Sequence, residues 1–95
     1  MNIELTEIAE KTFFQIIQKY SDNKSNKFKI QVISTIQLIA QNNYIGSKYK
    51  KTSFRKFLVS NQIYLFYLIE KETLFIVLFW DNKRNPIELE TILSS

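Results

Sequence analysis

The chain has 95 residues, with 13 Lys plus Arg against 9 Asp plus Glu, a net charge of +4, 45% hydrophobic and 15% aromatic content, and one Gly and one Pro. A chain of this size and apolar content buries about two-thirds of its surface on folding, which excludes a tail or linker and implies one domain spanning residues 1–95. Absence of Cys and His excludes a disulfide framework, a thiolate zinc site, a Cys nucleophile and imidazole acid–base chemistry, and no cofactor is expected.

Asn2 to Leu5 alternates polar and apolar side chains, as a short half-buried strand does. The same start lacks the basic residues and long apolar stretch of a secretory signal, so a cytoplasmic protein is expected. Thr6 supplies a hydroxyl where a helix can begin. From Glu7 to Tyr20 the apolar residues Ala9, Phe13, Ile16, Ile17 and Tyr20 recur at steps of three and four and predict a helix. Ser21 to Ser25 is polar and predicts a tight reversal. A second helix is predicted from about Asn26 to Gln41, with Phe28, Val32, Ile36, Ile39 and Ala40 on one face. Together the two form an antiparallel hairpin. Asn42 to Ser47 breaks the pattern, with Gly46 expected at positive φ, and Lys48 to Thr52 reads as a basic loop.

The period then changes to that of strands. Ser53 to Val59, Ile63 to Ile69 and Thr73 to Trp80 predict an antiparallel meander joined by hairpin-length connections. The last run is apolar throughout and is expected centrally in the sheet; it is far shorter than the roughly 20 residues of a membrane-spanning helix. Asp81 to Asn85 and Pro86 end the sheet, and Ile87 to Leu93 forms either a final helical turn or a short edge segment. The expected class is α+β: strand, helix, helix, then three strands, an antiparallel sheet with a two-helix hairpin across one face. The opposite face has no assigned cover except the C-terminal apolar residues Ile87, Leu89, Ile92 and Leu93.

Charge is unevenly placed. No acidic residue falls between Asp22 and Glu70, a span holding Lys24, Lys27, Lys29, Lys48, Lys50, Lys51, Arg55 and Lys56, which suits an acidic partner. Arg55 is suited either to binding phosphate or to pairing with Glu70, Glu72 or Asp81. Tyr64 and Tyr67 are an odd number of positions apart, so in a regular strand they face opposite sides and one belongs to the core. Trp80 either shapes a partner surface, beside Asp81, Lys83 and Arg84, or caps the core under the helix hairpin.

The order of these segments resembles the RelE/ParE superfamily of bacterial type II toxin–antitoxin systems over nearly the whole chain. The residues that carry the resemblance begin with the opening strand leading into Leu5 to Ile17 (LTEIAEKTFFQII), the second helix ending at Ile39-Ala40, and the Gly46 loop. They continue with Phe54 to Val59 (FRKFLV), Tyr64 to Tyr67 (YLFY) in the third strand, and Phe79 to Pro86 (FWDNKRNP). The resemblance implies a growth-arresting toxin of the plasmid-stabilization kind. A cognate antitoxin would wrap a segment, often acidic, over it in a hetero-oligomer. It also implies one of two targets: DNA gyrase in the ParE-like branch, or ribosome-bound mRNA in the RelE-like branch.

RelE-like cleavage, an attack by the ribose 2′-hydroxyl, would make the chain a metal-independent endoribonuclease. On that reading the resemblance implies catalysis by Arg55 and Arg84, at positions where that branch places cations against phosphate charge, with Tyr64 standing in as proton donor or stacking platform. The chain departs from that pattern: Ile63-Tyr64 stands where an aromatic followed by Arg is usual, and no Tyr or His follows Trp80. The ParE-like reading needs only a binding surface, for which Lys50, Lys51, Lys56, Trp80, Asp81 and Lys83 are the candidates, and is preferred, although that branch too usually carries an Arg in the third strand. A basic RNA-binding or adaptor domain without toxicity is the reading outside the family.

Overall fold

The computed structural model describes residues 1–94, so the last position of the expected domain lies outside them. The elements are β1 (Asn2–Leu5), α1 (Glu7–Ile17), α2 (Asp22–Gln41), β2 (Ser47–Lys48), β3 (Arg55–Ser60), β4 (Ile63–Glu70), β5 (Thr73–Asp81) and α3 (Pro86–Leu93). One sheet takes the order β1-β5-β4-β3-β2. The β1–β5 pair is parallel and the other pairs are antiparallel.

Thr6 joins the first strand to the first helix and to the sheet. Its Oγ1 accepts from the Ala9 amide at 3.0 Å as the cap of α1 and donates to the Val77 carbonyl at 2.6 Å. Further along α1, the buried Thr12 hydroxyl donates to the Ile8 carbonyl at 2.7 Å and accepts from the Phe79 amide at 2.9 Å. Two side chains thus tie α1 to β5 through backbone groups that would otherwise be buried without partners. Ser21 caps α2 by accepting from the Lys24 amide. The polar stretch expected as a reversal is therefore a cap followed by the first helical turn, because Ser and Asp favour those positions over a longer loop. α1 stops at Ile17, short of the expected Tyr20, with Gln18 as its C-cap.

Three further features differ from the sequence reading. Ser47–Lys48, within the expected loop, is a fifth strand paired with Lys56 and Arg55 of β3. With β1 parallel to β5, the sheet is mixed. Both follow from one count: if every connection reverses the chain, the hairpin and a three-strand meander bring β5 in antiparallel to β1, and inserting β2 adds the one reversal that makes the pair parallel. Gly46, expected at positive φ, is not there; Lys50, Asn61 and Lys71 are. Gly46 is required by contact instead, since a Cβ on it would sit 2.8 Å from both the Lys56 carbonyl oxygen and the Tyr67 phenol.

The sheet separates two apolar clusters. On the hairpin side, Ile63, Leu65, Tyr67, Leu74, Ile76 and Phe79 pack under Ala9 of α1 and Phe28, Val32 and Ile39 of α2. Phe13, Phe28 and Phe79 form a ring cluster with centroids 5.7 to 6.4 Å apart. On the other side Phe66, Leu78 and Trp80 pack under Leu89 of α3, with Ile92 and Leu93 alongside. A bulge between Phe66 and Tyr67 in the β4–β5 pairing places Leu78 and Trp80 on this second face and Phe79 on the first. Of the two alternatives for Ile87 to Leu93, a helix is the outcome, docked on the sheet, capped by Asn85 and begun by Pro86.

Candidate binding face

The strand period builds the site on the side that α3 only partly covers. Lys56 of β3 stands opposite Phe66 of β4, and Tyr64 of β4 opposite Trp80 of β5. One face of the sheet therefore presents Lys56, Tyr64, Phe66 and Trp80 together. Tyr49 and Lys50 close one side of this patch from the turn before β3. Asn82, Arg84 and Leu89 close the other, and the whole encloses a depression of about 210 Å³.

Every cation at this depression lies against an aromatic ring. Lys56 Nζ is 4.8 Å from the Tyr64 centroid, Arg84 Cζ is 4.4 Å from that of Trp80, and Lys50 Nζ is 5.5 Å from that of Tyr49. Tyr49 in turn meets Phe66 edge-on at 5.3 Å. Such contacts restrict long flexible cations in advance, so less side-chain freedom remains to be lost when a partner binds. Two of the three cations also meet carboxylates of α3: Arg84 donates to Glu88 at 2.7 Å, and Lys50 pairs with Glu90. Both pairs are solvent-exposed and contribute little to stability.

The remaining candidates are distributed differently. Arg55 lies on the opposite side of the sheet from Tyr64 and Arg84: its Nη1 donates to the Gly46 carbonyl at 2.7 Å and its guanidinium covers the Tyr44 ring at 4.9 Å. It pairs with none of Glu70, Glu72 and Asp81. Asp81 holds the turn after β5, accepting from the Lys83 amide at 2.9 Å and from Gln62 at 3.3 Å. Lys51 and Lys83 are exposed on the two flanking turns, outside the depression. Trp80 is 2% exposed and belongs to the core, under α3 and not under the hairpin. Of the two tyrosines, Tyr64 faces the depression and Tyr67 is the core residue.

Tyr67 illustrates how its surroundings set its chemistry. Its hydroxyl accepts from the Gly46 amide at 2.9 Å and donates to the Asn43 carbonyl at 2.8 Å. Burial pushes its phenol above the usual range, and the Gly46 amide and Arg55 offset only part of that. Glu88 and Glu90, which meet the cations of the depression, went unnoticed in the sequence. The four-residue spacing from Arg84 to Glu88 is the signal that could have found the first of them. Among the described residues no group of three or more His, Cys, Asp or Glu clusters as metal ligands would, and no helix is long and apolar enough to cross a membrane.

No protein-family model and no curated protein matches the sequence. Solved structures do match. A metal-bound toxin from Helicobacter pylori superposes with a TM-score of 0.66 at 17% identity, covering 87% of this chain and 96% of that one. The chromosomal ParDE toxin–antitoxin system of P. aeruginosa gives 0.63 at 12% identity, covering 83% and 92%. YafQ from E. coli gives 0.63 at 12%, covering 86% and 93%. The chain has the fold of these toxin structures. That fold, implied by the order of segments, here carries its cations and aromatics on the α3 side of the sheet, with Arg55 on the other.

Proposed function

We propose that this chain is the toxin component of a type II toxin–antitoxin system and that it acts by binding, as a ParE-like inhibitor of DNA gyrase or a related target. Support for a toxin comes from the fold, shared over 83% to 87% of the chain with structures described as toxins or as a toxin–antitoxin system. Support for binding over cleavage comes from Arg55. It is committed to the Gly46 carbonyl and Tyr44 on the hairpin side, so the catalytic set of Arg55, Tyr64 and Arg84 does not converge on one site. What does converge is an aromatic-backed cationic surface, to which an acidic antitoxin segment is complementary, in a hetero-oligomer.

A RelE-like ribosome-dependent endoribonuclease is the second reading, and one observation favours it. Lys56, Tyr64 and Arg84 share the depression, so a phosphate there would meet two cations and a phenol. The experiment is induction of the chain alone in a bacterial host, following growth, plasmid supercoiling and the integrity of ribosome-bound messages. Growth arrest with altered supercoiling and intact messages is expected. Cut messages, with cutting abolished by Tyr64→Phe or Lys56→Gln, would establish the ribonuclease instead, and absence of arrest would point to the non-toxic adaptor.

A further inference from the structure

α2 has two apolar faces, and the hairpin-side core uses only one of them. Phe28, Val32, Thr35 and Ile39 face the sheet and are buried. On the far side of the same helix Ile30, Ile33 and Leu38 are 65%, 57% and 41% exposed. At about 100° per residue these three fall within an arc of about 140° opposite the buried face, with Ser34, Gln37 and Gln41 exposed among them. Together they present roughly 300 Å² of apolar surface, the size of patch that marks an interaction site and not scattered exposure.

The charge pattern says what covers it. No charged residue occurs from 30 to 47, in a chain that is 23% charged and would place about four there at its average. The outer surface of the last three turns of α2 is therefore aliphatic side chains, Ser and amides, with neither sign to attract an acidic or a basic partner. A second copy suits it instead. Two chains of net charge +4 repel wherever their cations meet, and here they can touch with no like charges opposed. The direction of pairing follows from the rest of the helix. Lys24, Lys27 and Lys29 lie in its first half, and its last turn holds no basic residue. Parallel helices would set these lysines against their own counterparts, whereas antiparallel helices set them beside the negative end of the other helix dipole.

We propose that this face of α2 is a homodimer interface, in which two copies pair their second helices antiparallel about a two-fold axis at Ser34. That symmetry sets Ile30 of each copy against Leu38 of the other, and Lys27 against Gln41, along the ridge Ile30–Ser34–Leu38 of four-residue steps. Ser34, small and exposed at the centre, lets the axes approach to the about 8 Å of closely packed helices. A patch of this size is at the low end for specific association, so a dissociation constant of about 10–100 µM is expected. The rings and cations under α3 lie on the other side of the sheet and stay free in such a dimer. The inference goes beyond the toxin proposal and rests on α2 alone, so failure of either leaves the other standing.

The test is sedimentation equilibrium of the full chain from about 5 µM to about 1 mM, over which the mass is expected to rise from that of one chain toward that of two. Ser34→Glu puts two like charges at the axis without touching the core and is expected to weaken the dimer by about tenfold or more, with the melting temperature checking that the fold is kept. Because the sequence has no Cys, Ser34→Cys gives one thiol per chain, and a disulfide between copies needs their Cα atoms within about 7 Å. Under mild oxidation it is expected to cross-link at least about tenfold faster than Ile87→Cys, which is more exposed but lies on α3. The proposal is overturned by a monomer throughout the concentration range, by a dimer that Ser34→Glu does not weaken, or by Ile87→Cys cross-linking as fast as Ser34→Cys.

Discussion

The two faces of the sheet solve the same burial problem to different depths. On the hairpin side two helices of 11 and 20 residues cover the strands, and Thr12 and Tyr67, two polar side chains that enter the core, have their hydrogen bonds satisfied within the protein. On the other side a single eight-residue helix covers Phe66, Leu78 and Trp80 with Leu89 but leaves Tyr49 and Tyr64 half-buried at its margin, where they meet Lys50 and Lys56. A face closed by long helices holds the fold. A face closed by a short one leaves tyrosine rings and ring-backed cations at the surface, the composition that partner recognition uses.

Truncation separates the two faces most sharply. Phe28→Ala empties a site enclosed by Phe13, Tyr20 and Phe79 and is expected to cost about 3–5 kcal/mol. Leu89→Ala is expected to cost about 2 kcal/mol, the low end for such a truncation, because α3 can loosen without opening the hairpin core. Urea unfolding of both variants checks the order, and equal losses would mean that α3 is as integral as the hairpin.

Gly46→Ala probes the hairpin face at its closest approach. The new methyl meets a backbone carbonyl and the Tyr67 ring at once, so a cost of about 1–3 kcal/mol is expected in thermal unfolding. An unchanged melting temperature would show that the 42–48 segment shifts freely.

The smallest effect is one of pH. Because the folded-state pKa of Tyr67 is raised, its contribution is fully present below the unfolded value near 10 and is lost as pH climbs through the folded value. Stability of the wild type is therefore expected to fall above about pH 10, and less steeply in Tyr67→Phe. Parallel curves for the two proteins would assign the alkaline loss elsewhere, with Tyr20, also raised, the next group to replace.

Much of this was legible in the residues themselves. Apolar steps of three and four over 7–20 and 26–41 specify two helices, of which the first stops at Ile17, and the β-rich runs specify β3, β4 and β5, since each is a local pattern that one element can satisfy alone. The same periodicity separated Tyr64 from Tyr67, whereas Trp80, read either as a partner surface or as a core cap under the hairpin, is a core residue under α3 instead. Candidate residues on the turns were named correctly as cationic, but their rings and carboxylate partners come from other elements.

What only the tertiary structure decided is what depends on pairing. A two-residue strand has no period to read, yet β2 sets the direction of β5 against β1. The side of the sheet on which Arg55 stands follows from its register opposite Tyr67, and that register is a property of two strands and not of either one. Gly46 is the clearest case: its own neighbours in sequence suggest a turn, whereas the atoms that forbid any side chain there belong to Lys56 and Tyr67, distant in the chain and brought together only by the fold.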